Sequence, residues 1–313
     1  MAIDQFVFSD TVAQASVTTR QRSLIIRNEG RNKSTSLIIL LRLFVGDVRF
    51  KSFDRRRFIL QDKDYLDLNN SRSAIPTLVR LKDYLAPALT VDELGDIFSD
   101  RRFTNSNFNF HRRLLNEYTN FAFHQSQKSF TTAFIYLYRI LEMISIPFPS
   151  IYLSKMSDFN LAFQFIRDCT STDLTKENSK GELGVFKTFT HKIFETDPIN
   201  VFNIDILIDS AKFSTDLQES YYKLIKNMSG TALNAAGCTE YENISLKFIE
   251  LSSLIINIRN RFFHLFSANR HNIDADEIYN TDTFFELINP HISSWFAVLY
   301  FEVVKFSITQ SRR

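Results

Sequence analysis

A mainly α-helical fold is what this sequence predicts, and three observations predict it. Only 7 Gly and 6 Pro punctuate 313 residues, fewer than a protein of many strands and tight turns would consume. Hydrophobic residues make up 44% and charged residues 23%, the balance of a chain that buries a core, and 32 Phe supply bulk for that core. From about residue 110 onward the apolar residues recur at intervals of three and four, as they do on one face of a helix.

The elements follow in order. Residues 1–105 read as a smaller N-terminal region, open to a mixed α/β fold. Ser23–Arg27 and Leu37–Val45 are short apolar runs separated by the turn-like Asn28-Glu29-Gly30-Arg31-Asn32-Lys33. They suit strand-turn-strand, although the second run equally suits a buried helix. Ile75–Phe98 has a helical pattern broken into short pieces by Pro76 and Pro87. The polar patch Asn105, Ser106, Asn107 and Asn109 marks a boundary, and residues 106–313 read as a helical domain with an insertion around 146–243. Leu114, Tyr118, Phe121 and His124 define one helix face, and Phe130, Phe134, Leu137, Leu141 and Ile144 define the next. A shorter helix runs from Asp158 to Ile166, capped by Ser157. Residues 170–200 read as polar and loop-like around Val185–Phe194. Asp216–Met228 is amphipathic and stops at Ser229-Gly230. Ile244, Phe248, Leu251, Ile255, Ile258 and Phe262 form the clearest apolar stripe, on a helix expected to end near Asn269. A last helix carries Phe284 to Val304, with Pro290 as an expected kink.

Charge and cysteine content narrow the function classes. Net charge is +2, but residues 20–57 hold eleven cations and three anions, an excess of +8, so the remainder carries −6. Arg55, Arg56 and Arg57 close that segment. Such a segment suits RNA or another acidic partner, and equally a solvated face or arginines paired with acids elsewhere. Cys169 and Cys238 are too few for a disulfide framework or a cysteine zinc site, and reduced thiols imply the cytoplasm. The first residues show no signal-peptide pattern, and the apolar run Leu37–Val45 is short of the roughly 20 residues of a membrane span, so no membrane association is expected. No phosphate-binding Gly-rich loop, His-Glu-x-x-His, Gly-x-Ser-x-Gly or Cys-x-x-Cys occurs. ATP hydrolysis, zinc proteolysis and serine hydrolysis therefore lack support, and no cofactor or metal is implied.

One constellation carries chemistry. In Arg259-Asn260-Arg261-Phe262-Phe263-His264, Asn260 and His264 are four residues apart, so on a regular helix they share a face that Arg259 can reach. Cleaving RNA without a metal needs a base for the ribose 2′-hydroxyl and a cation for the phosphorane. Imidazole exchanges protons near neutrality, and guanidinium offers phosphate a fixed fork of donors. An amide can orient either group. No other His has an Arg five residues before it. The competing reading leaves Arg259 and Arg261 in solvent and His264 as a helix C-cap, where the dipole favours a cation.

Arg-Asn-x-x-x-His at the end of a late helix resembles the motif of HEPN ribonucleases. A second likeness is Tyr138-Arg139-Ile140-Leu141-Glu142, similar to a Tyr-Arg-x-Leu-Glu stretch in an early helix of some HEPN subfamilies. The resemblance implies a C-terminal HEPN-like helical bundle, with Arg259, Asn260 and His264 as catalytic residues and Glu142 as an orienting one. It also implies a homodimer or higher oligomer that joins two motifs in one site. The expected activity is metal-independent endonuclease cleavage of RNA by 2′-hydroxyl attack, in a toxin or antiviral-defence effector with a second protein of such a system as partner. The alternative is a non-catalytic RNA- or protein-binding subunit of a defence complex. A structural subunit is a third reading, which an exposed apolar patch would favour.

Other signals are weaker. Arg261 flanks the motif as an RNA contact. His111, Arg112 and Arg113, after Phe103, Phe108 and Phe110, mix basic and aromatic residues as RNA-binding surfaces do, although such a stretch is more often a helix start with a basic rim. His124 lies on an apolar stripe and reads as a core histidine. His271, beside Arg270, reads as rim, and His191 and His291 show no partner spacing.

Overall fold

The computed structural model describes residues 6–26, 35–52, 58–69, 71–170, 182–195, 197–263, 278 and 280–312. In chain order the elements are β1 (Phe6–Asp10), α1 (Ser36–Val45), β2 (Val48–Ser52), β3 (Ile59–Gln61), α2 (Thr77–Leu85), α3 (Val91–Ser99), α4 (Arg101–Asn105) and α5 (Phe108–Ser126). There follow α6 (Phe130–Ile144), α7 (Phe148–Lys155), α8 (Phe159–Thr170), α9 (Glu182–Ile193), β4 (Asn203–Leu207), α10 (Thr215–Ser229), β5 (Asn243–Lys247), α11 (Leu251–Ile258) and α12 (Thr281–Ser311). The fold is mainly α. The chain divides into two compact units, residues 1–143 with 289–313, and residues 144–288. Residues 106–143 thus fold with the N-terminal region.

In the first unit β1, β2 and β3 form an antiparallel sheet in that order. Alternation decides its faces: Phe6, Phe8, Val48 and Phe50 are buried, while Arg49 between them is exposed. Of the two readings open for Leu37–Val45, helix is the one realised. A segment apolar all round is satisfied when every side meets protein, and Leu37 to Val45 are all buried in α1. Phe44 packs against Tyr118 of α5 with ring centroids 4.3 Å apart and the rings tilted by 47°. The helix stops at Gly46, whose φ of 91° suits glycine and whose Cβ, if present, would meet the Asp62 carbonyl oxygen at 2.7 Å. Ser23 and Leu24, expected in a strand, instead close a 3₁₀ turn from Gln21 that packs on α3. Gly95 allows that contact, because a side chain there would collide with the Arg20 backbone.

Part of the basic segment is internal. Arg42, on α1, is wholly buried and its Nη2 lies 2.8 Å from Asp10 Oδ1. Asp10 also accepts from the Val12 and Ile26 amides, at 2.9 and 3.0 Å. Arg20 pairs with Asp96, and the Lys51 ammonium sits 4.9 Å from the Phe58 ring centroid. Arg22 and Arg49 are exposed. Arg55, Arg56 and Arg57 lie outside the described residues.

The C-terminal part of α12 completes this core with Trp295, Leu299, Tyr300 and Val304. By length and composition α12 could cross a membrane, yet 67% of its most apolar stretch is buried in the protein, as in a core helix. Pro290 lies inside this one helix. Tyr300 Oη is 2.9 Å from Nδ1 of the buried His111, and burial pushes His111 down to about 4. His111 is therefore a core residue and not part of a basic rim. Because the unfolded imidazole titrates near 6.5, the folded state binds its proton later than the unfolded state does. The stabilising contribution is complete above pH 6.5 and is lost as pH falls toward 4. Its size is about 3 kcal/mol from the shift alone. Urea titrations at pH 7 and 4 are expected to show wild type losing about that much more stability than His111→Asn; equal losses would remove His111 as an acid-sensitive point.

The second unit holds α7 to α11, the two-stranded β4–β5 sheet and the first turns of α12. The expected insertion, 146–243, lies within it. β4 and β5 are antiparallel, with Ile204 opposite Leu246 and Ile206 opposite Ile244, all four buried. This corrects the helix expected to begin at Ile244. The spacing of Ile244 and Phe248 fits a helix, but Ile244 and Leu246 also alternate, and pairing with β4 decides between the two. Val185–Phe194, read as a loop, is α9: Phe186, Phe189 and Ile193 bury one face. Phe186 packs on Phe148, and Phe189 on Phe165, with centroids 5.1 and 4.9 Å apart. Lys187, His191 and Lys192 reach the surface between them, while Thr190 is buried and donates to the Phe186 carbonyl, so polar residues are mixed through the helix and composition alone resembled a loop.

Candidate functional site at the end of α11

α11 has two faces. Leu251, Leu254, Ile255 and Ile258 are buried, while Glu250, Ser253, Asn257 and Asn260 follow at helical spacing along the opposite side. Nearly every residue of this polar side is tied down. Asn257 Nδ2 donates to the Met228 carbonyl oxygen at 2.9 Å. Glu250 Oε1 is 2.6 Å from His191 Nε2, and Glu250 Oε2 is 2.7 Å from Lys187 Nζ and accepts from Thr231 Oγ1 at 2.6 Å. Lys187 Nζ also donates to Thr231 Oγ1 at 2.7 Å and to Ser253 Oγ at 3.1 Å.

Burial pushes the Glu250 carboxyl up, but the bonds from Lys187 and Thr231 outweigh it and hold the group below the usual carboxylate range. All three donors of Lys187 are spent on acceptors within this cluster, and Glu250 meets both Lys187 and His191. The cluster is a clamp that fastens α9 and the start of α11. Sequence reading missed it. Lys187 and His191 share a helix face only if 182–193 is helical, and their acid lies 59 residues beyond His191.

Past Ile258 the helix changes register. Residues Arg259–Phe263 form one π-helical turn, while the Arg259 amide still donates to the Ile255 and Ile256 carbonyls. A π turn inserts an extra residue into a helical turn, is rare, and occurs frequently at functional sites. Here it contains the Arg-Asn pair. Arg259 Nη1 donates to Asn260 Oδ1 at 3.0 Å, and both residues are half-buried. Phe262 anchors the turn against Phe285 of α12, with ring centroids 5.5 Å apart. Arg261 is half-buried on the same turn. Over Arg259–Phe263 the expected regular helix is thus replaced by a π turn, and its expected end near Asn269 lies outside the described residues. His264 and His271 lie outside the described residues.

The other expected site residues belong to the first unit. Glu142 is exposed on α6. In the same stretch Arg139 pairs with Glu117 of α5 at 2.8 Å. Arg112 is half-buried and Arg113 exposed on α5. His124 is half-buried, not a core residue, and stacks on Tyr136 with centroids 5.3 Å apart. His191, for which the sequence offered no partner, has Glu250.

Fold and site together define a mainly helical protein with a clamped helix ending in an Arg-Asn π turn. Comparison with protein-family models, curated proteins and solved structures finds no match.

Proposed function

We propose that the protein is a metal-independent RNA endonuclease of HEPN type. The observation that carries this reading is the Arg259–Asn260 hydrogen bond on a π turn, with His264 five residues after Arg259 in the chain. An arginine held by a neighbouring amide keeps its guanidinium in one orientation, which favours bidentate contact with a phosphate. In the reaction His264 accepts the 2′-hydroxyl proton and the 2′-oxygen attacks phosphorus. The bond from phosphorus to the 5′-oxygen breaks, leaving a 2′,3′-cyclic phosphate and a 5′-hydroxyl. Arg259 stabilises the charge on the phosphorane. The departing oxygen needs a proton, and a chain with one such motif meets that need by dimerising, so that a second His264 donates it. A cytoplasmic toxin or antiviral-defence effector, neutralised or triggered by a second protein, is the setting this activity suits.

The test is cleavage of total RNA and tRNA in EDTA. Wild type is expected to yield cyclic-phosphate ends, and Arg259→Ala and His264→Ala are each expected to lose at least about 100-fold in rate. Wild type that fails to cleave at any concentration, alone or with a co-expressed partner, overturns the proposal. A second reading, a structural subunit of a larger complex, is favoured by one observation. Phe159 and Phe163, one turn apart on α8, are 90% and 67% exposed, apolar surface of the kind that protein partners cover.

A further inference from the structure

Between residues 101 and 116 the chain has four arginines and no acid. The two flanking acids are already engaged. Asp100 caps α4, its Oδ1 accepting from the Arg102 amide at 2.8 Å, and Glu117 is taken by Arg139 at 2.8 Å. α5 buries His111, Leu114, Leu115 and Tyr118. Its outer side therefore carries Asn109, Arg113 and Asn116, which follow at helical spacing and are all exposed. Arg101 and Arg102 stand exposed on α4, immediately before this helix. Arg101, Arg102 and Arg113 make no ion pair among the described residues. At the α4–α5 corner Phe108 leaves 43% of its surface in water.

We infer that the outer face of α4 and α5 docks a single-stranded RNA. Three guanidinium groups with no ion-pair partner among the described residues draw a polyphosphate and grip it through forked donors. The exposed Phe108 ring offers a stacking platform, which any base can use and which a duplex, its bases already stacked, cannot. The amides of Asn109 and Asn116 both donate and accept, so they can meet base edges and the 2′-hydroxyl. Charge complementarity selects the strand over a neutral or basic partner. The mixture of amides with one ring, in place of an apolar stripe, selects it over a membrane surface. That the strand is RNA rests on the ribonuclease reading; that this face binds a strand does not.

The experiment measures anisotropy of a labelled 12-nucleotide oligouridylate against the full-length chain carrying His264→Ala, so that the probe stays whole. Arg101→Gln/Arg102→Gln/Arg113→Gln is expected to weaken binding at least about tenfold at moderate salt. It should also lower the slope of log affinity against log salt by about two, close to 0.7 per lost phosphate contact. Phe108→Ala is expected to weaken binding about fivefold or more with the slope unchanged. Arg113→Gln alone should lower the slope by about 0.7, which keeps the test decisive if the triple variant is unstable. No binding by the parent chain, or unchanged affinity and slope in the arginine variants, overturns the docking face. Equal affinity for oligothymidylate overturns RNA as the strand, and displacement by an acidic peptide as readily as by RNA points to a protein partner instead. Binding that depends on these residues in a chain whose wild type never cleaves RNA would leave the face standing and remove the ribonuclease; cleavage without it would do the reverse.

Discussion

Asp10→Ala is expected to cost about 3–5 kcal/mol of stability, because it strands a buried charge. Arg42 is fully inside the first unit, and its Nε and Nη1 find no hydrogen-bond partner among the described residues, so the contact from Nη2 to Asp10 is the main compensation of its charge, with Asp47 adding to it. Burial pushes the Arg42 guanidinium below its ordinary value and Asp10 opposes that shift. A guanidinium scarcely deprotonates in proteins, so without Asp10 the cost falls on stability. The same substitution frees the Val12 and Ile26 amides, which adds to the loss. Urea unfolding monitored by circular dichroism measures it. The double variant Asp10→Leu/Arg42→Met, with no charge left to bury, should recover much of the difference. A single variant within about 1 kcal/mol of wild type would show that water reaches Arg42.

Arg259→Lys is expected to lower RNA cleavage about 100-fold while leaving the melting temperature nearly unchanged. Lysine keeps the charge but is a point cation on a flexible stem. It cannot hold Asn260 Oδ1, as Arg259 does at 3.0 Å, and present a planar pair of donors to a phosphate at the same time. The loss is transition-state stabilisation, about 2.7 kcal/mol, and belongs in the rate at saturating RNA more than in affinity. Single-turnover rates on tRNA in EDTA, beside thermal melts, separate the two effects. A lysine variant as fast as wild type would reduce Arg259 to a general positive charge.

Much of the fold was legible because periodicity and burial agree. α5, α6 and α10 each carry apolar residues at intervals of three and four, and those residues are buried where the pattern places them, with His124 at the end of the α5 stripe the exception. Legibility failed where two periods coincide or where none shows. Ile244-Ser245-Leu246 fits strand alternation as well as the start of a helical stripe, and the choice waits on β4, about 40 residues earlier. α9 hides its buried face among polar residues, and α1 is apolar on all sides, so neither displays the amphipathic signature of a surface helix.

The same division holds for the site. Local order along the chain determined the Arg-Asn-x-x-x-His spacing and the apolar stripe of α11 just before it, because both depend on neighbours within a few residues. The π turn at Arg259–Phe263, the clamp of Lys187 and His191 on Glu250, and the burial of Arg42 against Asp10 were decided only by tertiary structure. Each joins groups far apart in sequence or trades a local hydrogen bond for packing. Whether such contacts form depends on which faces meet, a choice made by burial of apolar area across the whole unit rather than by any one segment.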